Sequence, residues 1–345
     1  MAIDIHKNVS MRTYTTLKTG GVARFVVEVK NVEEVGEVGR FAKQNALPLL
    51  VLGGGSNVLV EDDGFSGVVV LNRLKGRKYI DNGDDTVTLV CHSGEILDEV
   101  VADTVERGLW GMENLSAIPG TVGATPVQNV GAYGVEVSDF ILQVETIFLL
   151  DGSRKIFSHS ECDFGYRESF FKTDLGKNYF ITAVHMKLKK IPNPILSYAD
   201  LVEKFSDVTP SIQEVRDSII SVRSKKFPDW KVVGTAGSFF KNPIITSMQS
   251  EALHALYPDI PQYEIGGGMV KIPLGYVLDK VCGLKGYRVG GVGLFTEQAL
   301  VLVNYGDATA TEIKLFVNDI QQKVFEKTKI NIFPEVRFIS KENIF

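Results

Sequence analysis

Apolar residues along the first hundred positions recur with two alternating periods. Phe25, Val26, Val27 and Val29 form a largely β-branched run, the composition of a strand. Asn31 followed by Glu34 has the spacing of a helix-opening capping box, and Val32, Val35, Val38 and Ala42 then fall at helical spacing. Pro48 to Leu52 read as the next strand, completing a strand–helix–strand unit. Further strands are predicted over 68–71 and 86–91. Ile96, Leu97, Val100, Val101, Thr104 and Val105 form the stripe of a second helix ending near Gly108. From 141 to 188 the pattern turns to short strands with few helical signals. A break at Ile191, Pro192, Asn193 and Pro194 follows. Thr209 and Pro210 then open a helix with Pro in its first turn, and Ile212, Val215, Ile219 and Val222 share one face. A helix over 312–327 and a strand over 334–339 close the chain, and a domain boundary is expected near residue 208.

Composition narrows the class. A length of 345 residues suits two or three domains, and 44% hydrophobic with 23% charged residues is globular. Lys and Arg number 37 against 42 Asp and Glu, so the basic excess of a nucleic-acid binder is missing. Cys91, Cys162 and Cys282 are odd in number and far apart, so neither a disulfide framework nor a metal centre is expected. The start lacks the apolar core of a signal peptide and no run of apolar residues is long enough to span a bilayer. A reducing, cytoplasmic location away from membranes is expected.

The 33 glycines cluster in several places, which suggests loops lining a large ligand. Gly53, Gly54, Gly55, Ser56 and Asn57 follow a strand. A dinucleotide fingerprint would need a helix next, whereas Val58, Leu59 and Val60 are strand-like. The segment is either a phosphate nest of consecutive N–H groups or a plain turn. The 116–134 stretch, with Ser116, Pro119, Gly120, Thr121, Gly123, Ala124, Gln128, Asn129, Gly131, Ala132, Tyr133 and Gly134, reads as a long irregular loop of small residues and amide donors. Loops of that length are usually functional. Small side chains let an extended ligand lie against the backbone, and Gln128 and Asn129 can bond ring heteroatoms.

Three further segments carry chemistry-bearing side chains. Arg167 lies beside Phe164 and Tyr166, where its planar fork suits a carboxylate, although most Arg–Glu neighbours are surface pairs. Ser238 lacks the flanking glycines and histidine of a serine hydrolase and is either a turn serine or a positioned proton donor. Glu335 and Arg337 would share one face of the closing strand, most simply a solvated edge.

In this order, the five segments resemble the UDP-N-acetylenolpyruvoylglucosamine reductases, and the match runs from Thr16 and Leu17 to Phe338. Ser197, Tyr198, Ala199 and Asp200 resemble the tyrosine-bearing loop of the type I branch. The resemblance implies an α+β fold: a two-subdomain FAD-binding fold of the vanillyl-alcohol-oxidase (PCMH) type plus a C-terminal α+β substrate-binding domain. The implied division is 1–75 (joined by 331–345) and 76–208 for FAD, and 209–330 for substrate.

The glycine nest and the 116–134 loop would hold FAD, without a covalent link because that loop contains no His or Cys. NADPH would give hydride to FAD and leave. The enolpyruvyl ether of UDP-N-acetylglucosamine would then accept the hydride at its vinyl carbon, giving UDP-N-acetylmuramate for peptidoglycan. By resemblance, Arg167 and Glu335 stabilise the enolate-like dianion, and burial is expected to keep Glu335 protonated as a hydrogen-bond donor. Ser238 matches the general acid, Lys226 and Asn242 contact the substrate diphosphate, and Tyr198 closes over it. A monomer acting on a small molecule, without nucleic acid or membrane, is expected. The competing readings are another FAD-dependent oxidoreductase of the same fold and a nucleotide-sugar binding protein that has lost catalysis.

Overall fold

The structure is a computed structural model and describes residues 3–206 and 208–342. The chain divides into two compact units: Met1–Val9, Ala23–Gly54 and Ser66–Arg223 form the first, and Ser10–Val22, Gly55–Phe65 and Ser224–Phe345 the second.

The first unit is built on two sheets. One has the strand order Ile5–Ser10, Val22–Val29, Phe65–Asn72, Leu49–Leu52, the last two parallel. The strand–helix–strand unit read from the sequence is therefore present, with Phe65–Asn72 inserted between its two strands. Its helix, Val32–Gln44, opens with the Asn31–Glu34 capping box and buries Val35, Val38 and Ala42 against Val27, Val29, Val68 and Val70.

The second sheet is antiparallel, in the order Arg154–Ser158, Ile141–Phe148, Tyr179–Lys189, Thr86–His92, Arg77–Asp81. Helix Leu97–Glu106 packs Leu97, Val100 and Val101 into the same core as Leu89, Cys91 and Val184.

A third helix, Ile212–Lys226, begins later than Pro210. Ser211 supplies the reason: its N–H and Oγ both donate to the Glu214 carboxylate at 2.8 Å, and Glu214 N–H returns to Ser211 Oγ at 3.3 Å. This reciprocal cap satisfies the first turn, so proline precedes the helix instead of entering it. Ile212, Val215 and Ile219 pack with Trp110, Tyr133 and Leu201.

In the second unit an antiparallel sheet runs Gly234–Ser238, Val301–Asn304, Val292–Leu294, Arg288–Val289. Helix Ala310–Thr328 covers it through Ile313, Phe316, Ile320 and Val324, all buried with Phe239, Phe240 and Leu302. Burying each is worth roughly 1.5–3 kcal/mol, against propensity penalties below about 0.7 for the β-branched members, so packing decides the helix. Asp62 accepts the N–H groups of Ala310 and Thr311 at 2.8 and 2.9 Å at its start. The closing strand is shorter than expected, Arg337–Ile339, and lies parallel to Val58–Val60. Among the described residues, no helix is long and apolar enough to cross a membrane.

Candidate active site

After Gly53 to Asn57 the chain enters the strand Val58–Val60, so no dinucleotide helix forms there. In the first unit, Gly53 and Gly54 press against Gly120 and Thr121. A Cβ on Gly54 would stand 2.8 Å from Gly120 Cα, and one on Gly53 2.3 Å from Thr121 Oγ1. Only bare backbone fits, and two glycine-bearing segments lying backbone to backbone suit an anionic group held by N–H donors. The residues present therefore fit the diphosphate of a dinucleotide. In the second unit, Gly55 accepts Thr16 N–H at 3.0 Å, and Ser56 and Asn57 are half-buried.

The 116–134 stretch is more ordered than an irregular loop. It contains a 3-10 turn, Val122–Ala124, a single helical turn, Thr125–Gln128, and the first strand, Gly131–Ala132, of a small hairpin with Val135–Glu136. Pro126 presets the helical turn and left-handed Asn129 ends it. Ser116 is fully buried and donates to the Glu113 carbonyl at 2.6 Å, a structural use of its hydroxyl. Pro119 and Gly120 are half-buried, Gly123 packs against Ser93, and Ala124 and Gly134 are exposed. Gln128 and Tyr133 are buried. Ala117, Asn129, Tyr133 and Arg167 all hold positive φ despite carrying a Cβ, at 58°, 40°, 50° and 58°. Such conformations gather at functional sites, where the surroundings impose them.

Arg167 sits at the corner of a two-residue turn closed by Gly165 and Glu168, which exchange both backbone bonds at 3.0 Å. Its guanidinium donates to the carbonyls of Gly131 at 2.7 Å and Asn129 at 3.4 Å, and Lys172 Nζ donates to its own carbonyl. The Tyr133 and Tyr198 rings meet edge-on at 4.8 Å, with Tyr198 exposed at the head of helix Ala199–Lys204.

In the second unit Ser238 ends an edge strand directly after a bulge, with Gly237 at φ 71°. A bulge re-aims the side chain that follows it. Backbone bonds then tie this segment to the chain end: Lys241 N–H to Phe333 at 3.0 Å and Glu335 N–H to Phe239 at 2.8 Å. Asn57 joins them, its Nδ2 donating to the Glu335 carbonyl at 3.3 Å while its own carbonyl accepts Arg337 N–H at 3.1 Å. Ser238, Glu335 and Asn57 are thus drawn together from three distant stretches, and Glu335 is half-buried. Asn242 Oδ1 accepts Leu274 N–H at 2.9 Å, which leaves the amide donors as the groups it can offer a ligand. Lys226 closes helix Ile212–Lys226 and is half-buried.

Sequence reading missed two arginines. Burial pushes the Arg337 guanidinium down, and among the described residues no ion pair offsets it. Alternation along the strand had put this residue on a solvated face. Burial likewise lowers Arg223, opposed by its hydrogen bond and charge contact with Tyr133 and by the Asp98 charge; its Nε donates to Ala117 at 3.2 Å. Its place beside Lys225 and Lys226 in a short basic cluster was the available signal.

Residues 23–157 match the family described as "FAD binding domain", and residues 228–339 the one described as "UDP-N-acetylenolpyruvoylglucosamine reductase, C-terminal domain". Together with the glycine cradle, these matches define a flavoprotein oxidoreductase. The chain is 38% identical over 333 residues to UDP-N-acetylenolpyruvoylglucosamine reductase of Pasteurella multocida, covering 96% of each chain. It is 38% identical over 341 residues to that of Flavobacterium johnsoniae, covering 98% of this chain and 100% of the relative. The crystal structure of the Thermus caldophilus enzyme superposes with a TM-score of 0.68 at 26% identity, covering 98% and 99% of the two chains. The chain belongs to the UDP-N-acetylenolpyruvoylglucosamine reductase family. The α+β fold class, FAD with NADPH, and the role in peptidoglycan precursor synthesis expected from the motifs are those of this family.

Proposed function

We propose that Ser238, Arg167 and Glu335 carry the reduction of the enolpyruvyl ether of UDP-N-acetylglucosamine, with Ser238 as proton donor. The observation that carries this reading is the backbone tie between the Ser238 segment and the Glu335 segment, through Phe239 and Asn57. Bound FAD, reduced by NADPH, supplies the hydride for the vinyl carbon. As that hydride arrives, negative charge builds on the carbon beside the substrate carboxylate. Arg167 offers a fixed cation and Glu335 a hydrogen bond to the carboxylate oxygens, where the charge is delocalised. Ser238 donates its hydroxyl proton to that carbon, which is basic enough to take it. Lys226 and the Asn242 amide donors bind the diphosphate, and Tyr198 covers it.

Gly53, Gly54, Gly55, Ser56, Asn57 and the 116–134 stretch, apart from the Asn129 side chain, whose amide is engaged within the protein, hold FAD non-covalently, chiefly through backbone donors. The enzyme is read as a monomer working in the cytoplasm, on a small molecule and without nucleic acid. The acidic balance speaks against nucleic acid and the three free cysteines for a reducing compartment; light scattering tests the monomer and cell fractionation the location.

Replacing Ser238 with Ala tests the proton-donor role. Flavin reduction by NADPH stays near the parent rate, while reoxidation by the ether slows by about 10²–10⁴, the usual worth of a general acid. Equal slowing of both half-reactions would make Ser238 a structural residue.

A further inference from the structure

Arg167 depends on a turn that one buried amide holds in place. Asn129 is 1% exposed and stands at φ 40° where the helical turn Thr125–Gln128 ends. Its Nδ2 donates to the Gly165 carbonyl at 3.0 Å and to the Glu136 carboxylate at 2.8 Å, and its Oδ1 accepts Ser138 N–H at 3.2 Å. Both amide donors and an acceptor site are thereby engaged within the protein. The sequence had offered this amide to a flavin heteroatom. Its backbone carbonyl, with that of Gly131, instead receives the Arg167 guanidinium.

We infer that the Asn129 side chain is a positioning residue for Arg167: it pins the 165–168 turn to the segment whose carbonyls aim the guanidinium. This rests on the reading that Arg167 stabilises the developing negative charge. Arg167 holds φ 58°, disfavoured for a residue with a Cβ, so the turn needs an external restraint. Gly165 lies two residues before Arg167, and its carbonyl is the point at which Asn129 supplies that restraint.

Two variants test the inference. Asn129→Asp keeps the shape and tolerates the left-handed backbone, but sets a carboxylate against the Glu136 carboxylate and the Gly165 carbonyl. Asn129→Gly keeps the backbone and removes the amide, and serves if the aspartate variant does not fold. The readouts are FAD affinity of the apoprotein by flavin fluorescence, and both half-reactions of the holoenzyme under anaerobic conditions. FAD affinity and reduction by NADPH should stay within roughly threefold of the parent. Reoxidation by the ether should slow by about 10–10²-fold, the scale of a misplaced positioning group. Adding Arg167→Lys to Asn129→Gly should then cost little more than Arg167→Lys alone, since both act on one guanidinium.

Weakened FAD binding, parallel slowing of both half-reactions, or unchanged reoxidation would overturn the inference. Normal reoxidation in Arg167→Lys itself would instead defeat the underlying reading of Arg167, and the inference with it.

Discussion

The backbone N–H of Glu335 donates to the carbonyl of Phe239 at 2.8 Å, one residue past Ser238. That bond fixes the register between the segment bearing the proposed proton donor and the segment bearing the proposed carboxyl partner. The Phe239 and Phe240 side chains, both buried, anchor one side of the register. Asn57 closes the other by donating to the Glu335 carbonyl. The Glu335 side chain is thus mounted on backbone with little freedom, as electrostatic preorganisation requires.

If Glu335 acts by donating a hydrogen bond, its substitutions separate cleanly. Glu335→Gln keeps a donor of similar length, whereas Glu335→Ala removes it. Reoxidation of reduced enzyme by the ether should fall by about 10²–10³ in Glu335→Ala, the usual cost of one such donor. Glu335→Gln should lose at least tenfold less (roughly 1.4 kcal/mol of transition-state stabilisation). Stopped-flow measurement of this half-reaction decides the matter, and equal losses would remove the donor role.

The glycine cradle predicts a loss of cofactor from a single methyl group. A Cβ at Gly54 meets Gly120 Cα at 2.8 Å, backbone against backbone, so the two segments must part. Gly54→Ala should purify with substoichiometric flavin and bind added FAD at least ~10-fold more weakly, about 1.4 kcal/mol. Flavin content and a fluorescence titration measure this. A fully loaded Gly54→Ala enzyme would show that the contact is irrelevant to FAD.

The elements that were legible are those whose signals are local. The Asn31–Glu34 box, the stripe through Val35, Val38 and Ala42, and the strand after Asn57 each lie within a few residues. The start of helix Ile212–Lys226 was misread because Pro210 outweighed the reciprocal Ser211–Glu214 pair beside it. The 116–134 stretch read as irregular because its pieces, such as Thr125–Gln128, are shorter than any period that could reveal them. The Glu335–Phe239 bond joins positions far apart in the chain, which no local pattern can report. Residue roles were accessible through the ordered set of motifs, since spacing alone left Ser238 and Glu335 with bland alternatives.

Asp98 gives a prediction on stability. Burial acts to raise its carboxyl, but hydrogen bonds from Arg216 at 2.7 Å and from Ala117 N–H at 2.7 Å, with the nearby arginine charges, outweigh it. The folded carboxyl therefore lies below the ordinary aspartate value. Its ionised form stabilises the fold at pH above that ordinary value, and the contribution fades as pH falls through the lowered one. Asp98→Asn should lower Tm by about 2–4 °C near neutrality, a loss that shrinks below about pH 4. Melting curves across pH check this. A gap between the two proteins that widened in acid would contradict the sign.

The most direct test of the central claim is the visible spectrum of the purified enzyme under anaerobic conditions, through two additions. NADPH should bleach the flavin band, and the enolpyruvyl ether of UDP-N-acetylglucosamine should restore it with formation of UDP-N-acetylmuramate. Bleaching without recovery would contradict the reductase assignment and favour a different flavin oxidoreductase. A protein that stays colourless after incubation with FAD would contradict the flavoenzyme reading itself.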